Sequence, residues 1–297
     1  MKRKTWFWAL TPVAVALSLY GCGNGSDSDL AVDNNAQSCS VVSGTGSAVV
    51  VGSGLPGDPA APEAASGYRL GYKAKQSSNY MVVANTPLAT KAGCDVLKAG
   101  GTAVDAAVAV QAVLGLVEPQ SSTIAGSAFM MYYDAANKKV VAYDGRETAP
   151  AAATGYYLAR QDQSNASSPA PVPSARRSGR SIGVPGVMRM LDMAHKEHGK
   201  LAWAPLFDEG IRLASSGYKI PGRMGDAIRT NAANLQLDAN AVAAYFNADG
   251  TPKTTGTVTT NLPYAQSLRT LATGGADAMY SGPLADAIVA KAAQSVG

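Results

Sequence analysis

The 297-residue chain is poor in charge, aromatics, cysteine and histidine, and each shortage closes off a class of function. Charged residues make up 15%, against about 25% in an ordinary soluble domain. The net charge is +4, and Lys2, Arg3 and Lys4 supply three of those positive charges. The remainder is close to balanced, so no basic face is on offer to displace counterions from phosphate, and a nucleic-acid partner is not expected. The three cysteines form no CxxC pair, which leaves zinc and dithiol redox motifs without support. His195 and His198 are the only histidines. They lie three apart on a Lys/Glu-rich helix without a carboxylate or cysteine cluster, so metal ligation and a Ser-His-Asp triad are both poorly supplied. Aromatics reach only 7%, whereas glycine and alanine are abundant, which points to close backbone packing. With 46% hydrophobic residues and little net charge, disorder throughout is excluded.

Long apolar runs are also missing. The run from Trp6 to Leu19 is about 14 residues, too short to cross a bilayer comfortably, and it follows a cationic start. It ends in Leu19-Tyr20-Gly21-Cys22, which resembles a bacterial lipobox, with Tyr20 unusual at its position. Residues 1–21 therefore read as a lipoprotein signal peptide and Cys22 as the lipidated residue. The bland alternative is an ordinary secretory signal with an incidental cysteine. Residues 22–67 are rich in Gly, Ser, Ala, Asp, Asn and Pro, the composition of a flexible tether. A Cys39–Cys94 disulfide is conceivable in an exported protein, but one partner falls in that tether, so Cys94 reads first as a small buried hydrophobe.

The folded part is expected over 68–297. Tyr80–Ala84 reads as a strand. Thr86-Pro87 opens a helix that Gly100-Gly101 ends, and Thr102 with Asp105 in capping-box spacing opens a second helix, Ala103 to Val117. That helix is apolar all round and must be covered on several sides. Asp105 is accordingly a cap before it is a catalytic acid. Phe129–Tyr133 and Lys139–Tyr143 form a hairpin that delivers Asp144-Gly145-Arg146-Glu147 off a strand end. An arginine in that setting suits a substrate carboxylate through its planar fork, or forms a structural ion pair with a neighbouring acid. Helical patterns follow at Met188–His198 and Leu206–Ser215. Arg176, Arg177 and Arg180 form a small loop cluster, read as solvated surface.

Five segments occur in order: MVVANTPLATKAGCDVLKAGGTAVDAAVA, LGLVEPQSSTIAG, VVAYDGRETAPAAAT, SIGVPGV and TTNLPYAQSLRTLATGGADAMYSGPLADAIVA. In these the chain from Tyr80 to Gly297 resembles the large, N-terminal chain of the γ-glutamyltranspeptidases, or glutathione hydrolases. The resemblance implies an α+β fold, the large-chain half of the αββα sandwich of N-terminal-nucleophile hydrolases. It implies a threonine nucleophile at the start of a small C-terminal chain, outside these residues, whose own α-amino group serves as base. It also implies that Arg146 binds the α-carboxylate of glutathione or another γ-glutamyl substrate, with Glu147 as its structural partner, and that neither metal nor cofactor is required. The expected setting is the periplasmic side of a bacterial membrane, reached by export and held there through Cys22.

The sequence departs from the family pattern at Ala125-Gly126-Ser127-Ala128, where the family usually reads four glycines; each added Cβ narrows the permitted backbone. Thr259-Thr260-Asn261 superficially resembles the cleaved junction but reads better as a helix start, with Asn261 or Thr260 as cap. Two other readings stand beside the leading one: a cephalosporin-type acylase of the same fold, and a non-catalytic lipoprotein binding module.

Overall fold

The computed structural model describes Cys39 and residues 77–294. The signal peptide, Cys22 and, apart from Cys39, the whole tether expected at 22–67 lie outside the described residues. The chain from Pro87 builds α1 (Pro87–Lys98), α2 (Ala103–Val117), a hairpin of β1 (Ala128–Asp134) and β2 (Lys139–Gly145), and α3 (Val187–His198). It continues through α4 (Asp208–Ser216), β3 (Tyr218–Lys219), α5 (Gly222–Leu235), α6 (Ala239–Tyr245), β4 (Val258–Thr259), α7 (Leu262–Gly274) and α8 (Pro283–Ala293).

The helix starts follow their local chemistry. Thr86 accepts from the Ala89 backbone at 3.3 Å ahead of Pro87. Thr102 and Asp105 form the reciprocal capping box, at 3.2 and 2.7 Å. Asn261, not Thr260, caps α7 by accepting from Tyr264 N at 3.0 Å. Asp105 does more than its spacing suggests. Fully enclosed, it also accepts from the backbone N–H groups of Lys200 and Leu201 at 3.0 and 3.2 Å. One carboxylate thus starts α2 and clamps the turn after α3.

The fold is organised around α2. Ten of its fifteen residues are buried. One side (Val104, Val108, Ala112) packs with β2, α3 and α7; the other (Ala109, Val113, Leu116) packs with α1, α4 and α5. A helix shared by two core clusters has no face to give to water, which is why its sequence carries no charge after Asp105. Its contact with α7 depends on Gly115. The Tyr264 hydroxyl donates to Ala112 O at 2.9 Å, and a Cβ on Gly115 would overlap that hydroxyl. Burial among these helices pushes the Tyr264 phenol pKa up.

β1 and β2 pair antiparallel from Ala128 opposite Gly145 to Asp134 opposite Lys139. Asp134 turns the chain by accepting from Ala136 N and Asn137 N, and Lys138 takes a left-handed φ of 50°. Alternation then sorts the hairpin. Ala128, Met130, Tyr132, Val141 and Tyr143 pack on the helical core, while Phe129, Met131, Tyr133 and Val140 are exposed on the opposite face.

Three expectations need correction. Cys39 and Cys94 are joined in a disulfide with Cα atoms 5.5 Å apart, so Cys94 is not a free core thiol. Composition around Cys39 does not foretell a covalent tie that holds a single residue against α1. Tyr80–Ala84 has the extended alternation of a strand, with Met81 and Val83 exposed, but pairs with no strand among the described residues. Arg180 is not a solvated loop residue: its guanidinium donates to the carbonyls of Tyr157, Arg160 and Gln161 at 2.9–3.0 Å, pinning the loop ahead of α3. Arg176 and Arg177 are exposed, as expected.

Candidate functional site

The end of β2 is held by three neighbours before any functional side chain appears. The Gly126 carbonyl accepts from Gly186 N at 3.0 Å and Val187 N at 3.1 Å, tying the loop before β1 to the start of α3. Thr148 and Val184 pair as an isolated antiparallel bridge shortly beyond the end of β2. Gly186 lies against the Gly145 and Arg146 backbone so closely that a Cβ there would overlap the Gly145 carbonyl. Arg146 therefore leaves a rigid platform. Its N–H donates to Asp144 Oδ1 at 2.9 Å, closing the turn.

The Arg146 side chain is 61% exposed. Its Nη2 lies 3.3 Å from Glu147 Oε1, and its Nη1 donates to Ser127 Oγ at 3.4 Å. The Ser127 hydroxyl, then a backbone N–H and last the Arg146 charge hold the Glu147 carboxyl below its usual range. An exposed ion pair of this length is weakly held, so the guanidinium remains available to a second carboxylate. Of the two sequence readings of Arg146, the ion pair with an acidic neighbour is present, and the side chain stays largely exposed beside it. Ser127, which entered the sequence reading only as a departure from glycine, stands in direct contact with it. Adjacent to this edge, Pro150, Ile182, Val184, Tyr280, Ile288 and Val289 line an apolar groove of about 440 Å³.

The other candidates sort out differently. Asp105 is spent on backbone N–H groups. His195 Nε2 lies 2.9 Å from Leu201 O and 3.4 Å from Asp105 Oδ1. His198 stacks on Tyr132 with ring centroids 4.0 Å apart, and its Nε2 is 2.8 Å from the Tyr143 hydroxyl. That hydroxyl also donates to Glu197 at 2.6 Å, and burial followed by this acidic neighbour pushes the Tyr143 pKa up to about 12. The two imidazoles thus point to different partners. Among the described residues no three of His, Cys, Asp and Glu gather where they could hold a metal ion. Thr259 is buried in β4 and accepts from Lys253 Nζ at 2.8 Å.

An ion pair with one buried partner escaped the sequence reading. Glu118, 1% exposed at the end of α2, lies 3.1 Å from Arg223 of α5 and accepts from Gln120 at 2.9 Å. The available signal was an acidic residue at a helix C-terminus, where the dipole disfavours negative charge and a cation must compensate.

Comparison with known proteins places this geometry. The family model described as Gamma-glutamyltranspeptidase matches residues 89–297. Glutathione hydrolase 3 of Arabidopsis thaliana is 36% identical over 215 residues, 72% of this chain and 32% of that protein. The glutathione hydrolase proenzyme of Bacillus subtilis is 34% identical over 208 residues, 69% of this chain and 34% of its own. Among solved structures, Helicobacter pylori gamma-glutamyltranspeptidase superposes with a TM-score of 0.69 at 26% identity, covering 75% of this chain and 62% of the other. The chain thus spans about a third of the length of the curated relatives it matches. Its α+β arrangement is the large-chain part of the N-terminal-nucleophile hydrolase fold found in these neighbours. On the match across 89–297 and the shared fold, the chain belongs to the gamma-glutamyltranspeptidase family.

Proposed function

We propose that this chain forms the donor-binding part of a γ-glutamyltransferase/glutathione hydrolase, with the nucleophile supplied by a small C-terminal chain beyond these residues. Arg146 binds the α-carboxylate of the γ-glutamyl group. A threonine hydroxyl of the small chain attacks the γ-amide carbonyl, its α-amino group taking the proton. The amine leaves with a proton, and the resulting acyl ester is resolved by water or by an acceptor amine. The observation that carries this reading is the exposed Arg146 fork on a braced strand end. The bare apolar face of β1–β2, with Phe129 68% and Met131 71% exposed, supports a second chain covering it.

Export with anchoring through a lipid at Cys22 completes the proposal. The Cys39–Cys94 disulfide supports an oxidising compartment such as the periplasm. The test of the donor site is Arg146→Ala in the complete two-chain enzyme. KM for γ-glutamyl-p-nitroanilide should rise about 10- to 100-fold, the loss expected for a charged hydrogen-bonding partner. An unchanged KM would remove Arg146 from donor binding.

A further inference from the structure

We infer that Ser127 is a positioning residue for the γ-glutamyl donor: its hydroxyl holds the Arg146 guanidinium in the orientation that receives the α-carboxylate. The inference rests on the donor-binding role proposed for Arg146 and goes beyond it to a residue that the geometry alone singles out. The last pair of the β1–β2 ladder is Ala128 opposite Gly145, so the next residues outward, Ser127 and Arg146, face each other across the hairpin mouth. Arg146 Nη1 donates to Ser127 Oγ at 3.4 Å, while Nη2 lies 3.3 Å from Glu147 Oε1. The two guanidinium nitrogens are thus held by different neighbours. The Ser127 hydroxyl also lowers the pKa of the Glu147 carboxyl, so it acts on the same ion pair.

Ser127 is itself well anchored. It is half-buried, and its preceding carbonyl, Gly126 O, is tied to two N–H groups at the start of α3. Arg146, by contrast, is mostly exposed, and a long exposed side chain loses many rotamers when it grips a ligand. A fixed hydroxyl that pre-orders the fork reduces that loss, and it does so for the ground state and the transition state alike. The signature is therefore a change in KM with kcat retained.

The experiment is a double-mutant cycle in the complete two-chain enzyme, with γ-glutamyl-p-nitroanilide as donor. Ser127→Ala should raise KM about fivefold, the size of one ordinary hydrogen bond, with kcat unchanged. Ser127→Thr, which keeps the hydroxyl, should restore most of the affinity. In an Arg146→Ala background the Ser127→Ala change should add nothing, because the group it orients is gone. Ser127→Gly provides a second hydroxyl-free variant should the alanine variant fail to assemble. Unchanged KM in Ser127→Ala alongside a raised KM in Arg146→Ala would overturn the inference and leave the donor site standing. A Ser127→Ala effect that falls on kcat, or persists without Arg146, would also overturn it. Arg146→Ala with unchanged KM is the separate result that removes the donor reading itself.

Discussion

At the scale of single residues, charge placement divides into groups that work on the backbone and groups that face outward. Asp105 and Arg180 serve main-chain atoms: Asp105 accepts from the N–H of its own cap Thr102 and from two N–H groups after α3, and Arg180 donates to three carbonyls of a loop. Glu118 is the costly case. It is enclosed at the wrong end of a helix dipole and tolerated through Arg223 and Gln120. Glu118→Ala should lower unfolding stability by about 2–3 kcal/mol, since Arg223 is then left partly buried without this carboxylate. Replacing both residues with apolar ones should recover much of that loss. A shift in urea midpoint corresponding to less than about 0.5 kcal/mol for the single variant would mean the pair contributes nothing. The place of Arg146 off a strand end was legible in the sequence, while its donor role is what the resemblance of the DGRETAP segment implies. Ser127 was not, because its partner lies across the hairpin and only the pairing register brings the two together.

Among elements, the legible ones were those whose ends are written in side chains. Thr86-Pro87, the Thr102/Asp105 box and Asn261 each marked a helix start that the structure shares. The all-apolar pattern of α2 correctly implied cover on several sides. The hairpin was also visible, although its strands run one or two residues further than alternation alone suggested, through Asp134 and Gly145. The helical pattern expected at Leu206–Ser215 resolves into a 3₁₀ turn at Ala204–Phe207 followed by α4, with Pro205 favouring the tight first turn. Residues 218–257 carry α5 and α6, which the sequence reading did not assign; much of the apolar content there is alanine, which marks a helical face only weakly. Tyr80–Ala84 shows the converse limit. Its alternation is that of a strand, and the backbone is extended, but a strand also needs a neighbour, which local sequence does not specify.

At the scale of the whole molecule, two features tie the described residues to what surrounds them. The first is the disulfide across a sequence separation of 55 residues. Closing a loop of that length restricts the unfolded chain by at most about 4 kcal/mol in the chain-entropy account. Alkylation with iodoacetamide should therefore leave Cys39 and Cys94 unmodified until reductant is added, and reduction should lower the melting temperature. Modification of both residues without reductant would show that the bond does not form. The second feature is the hairpin face of Phe129, Met131, Tyr133 and Val140, apolar and open to water. The proposal joins this surface to Arg146: this part binds the γ-glutamyl donor, and a threonine of a small C-terminal chain attacks it. The most direct measurement is p-nitroaniline release from γ-glutamyl-p-nitroanilide by these 297 residues alone, and again by a chain continued through a small-chain segment like that of the family's enzymes. The account predicts no enzymatic release in the first case and turnover in the second; turnover by the 297 residues alone would contradict it.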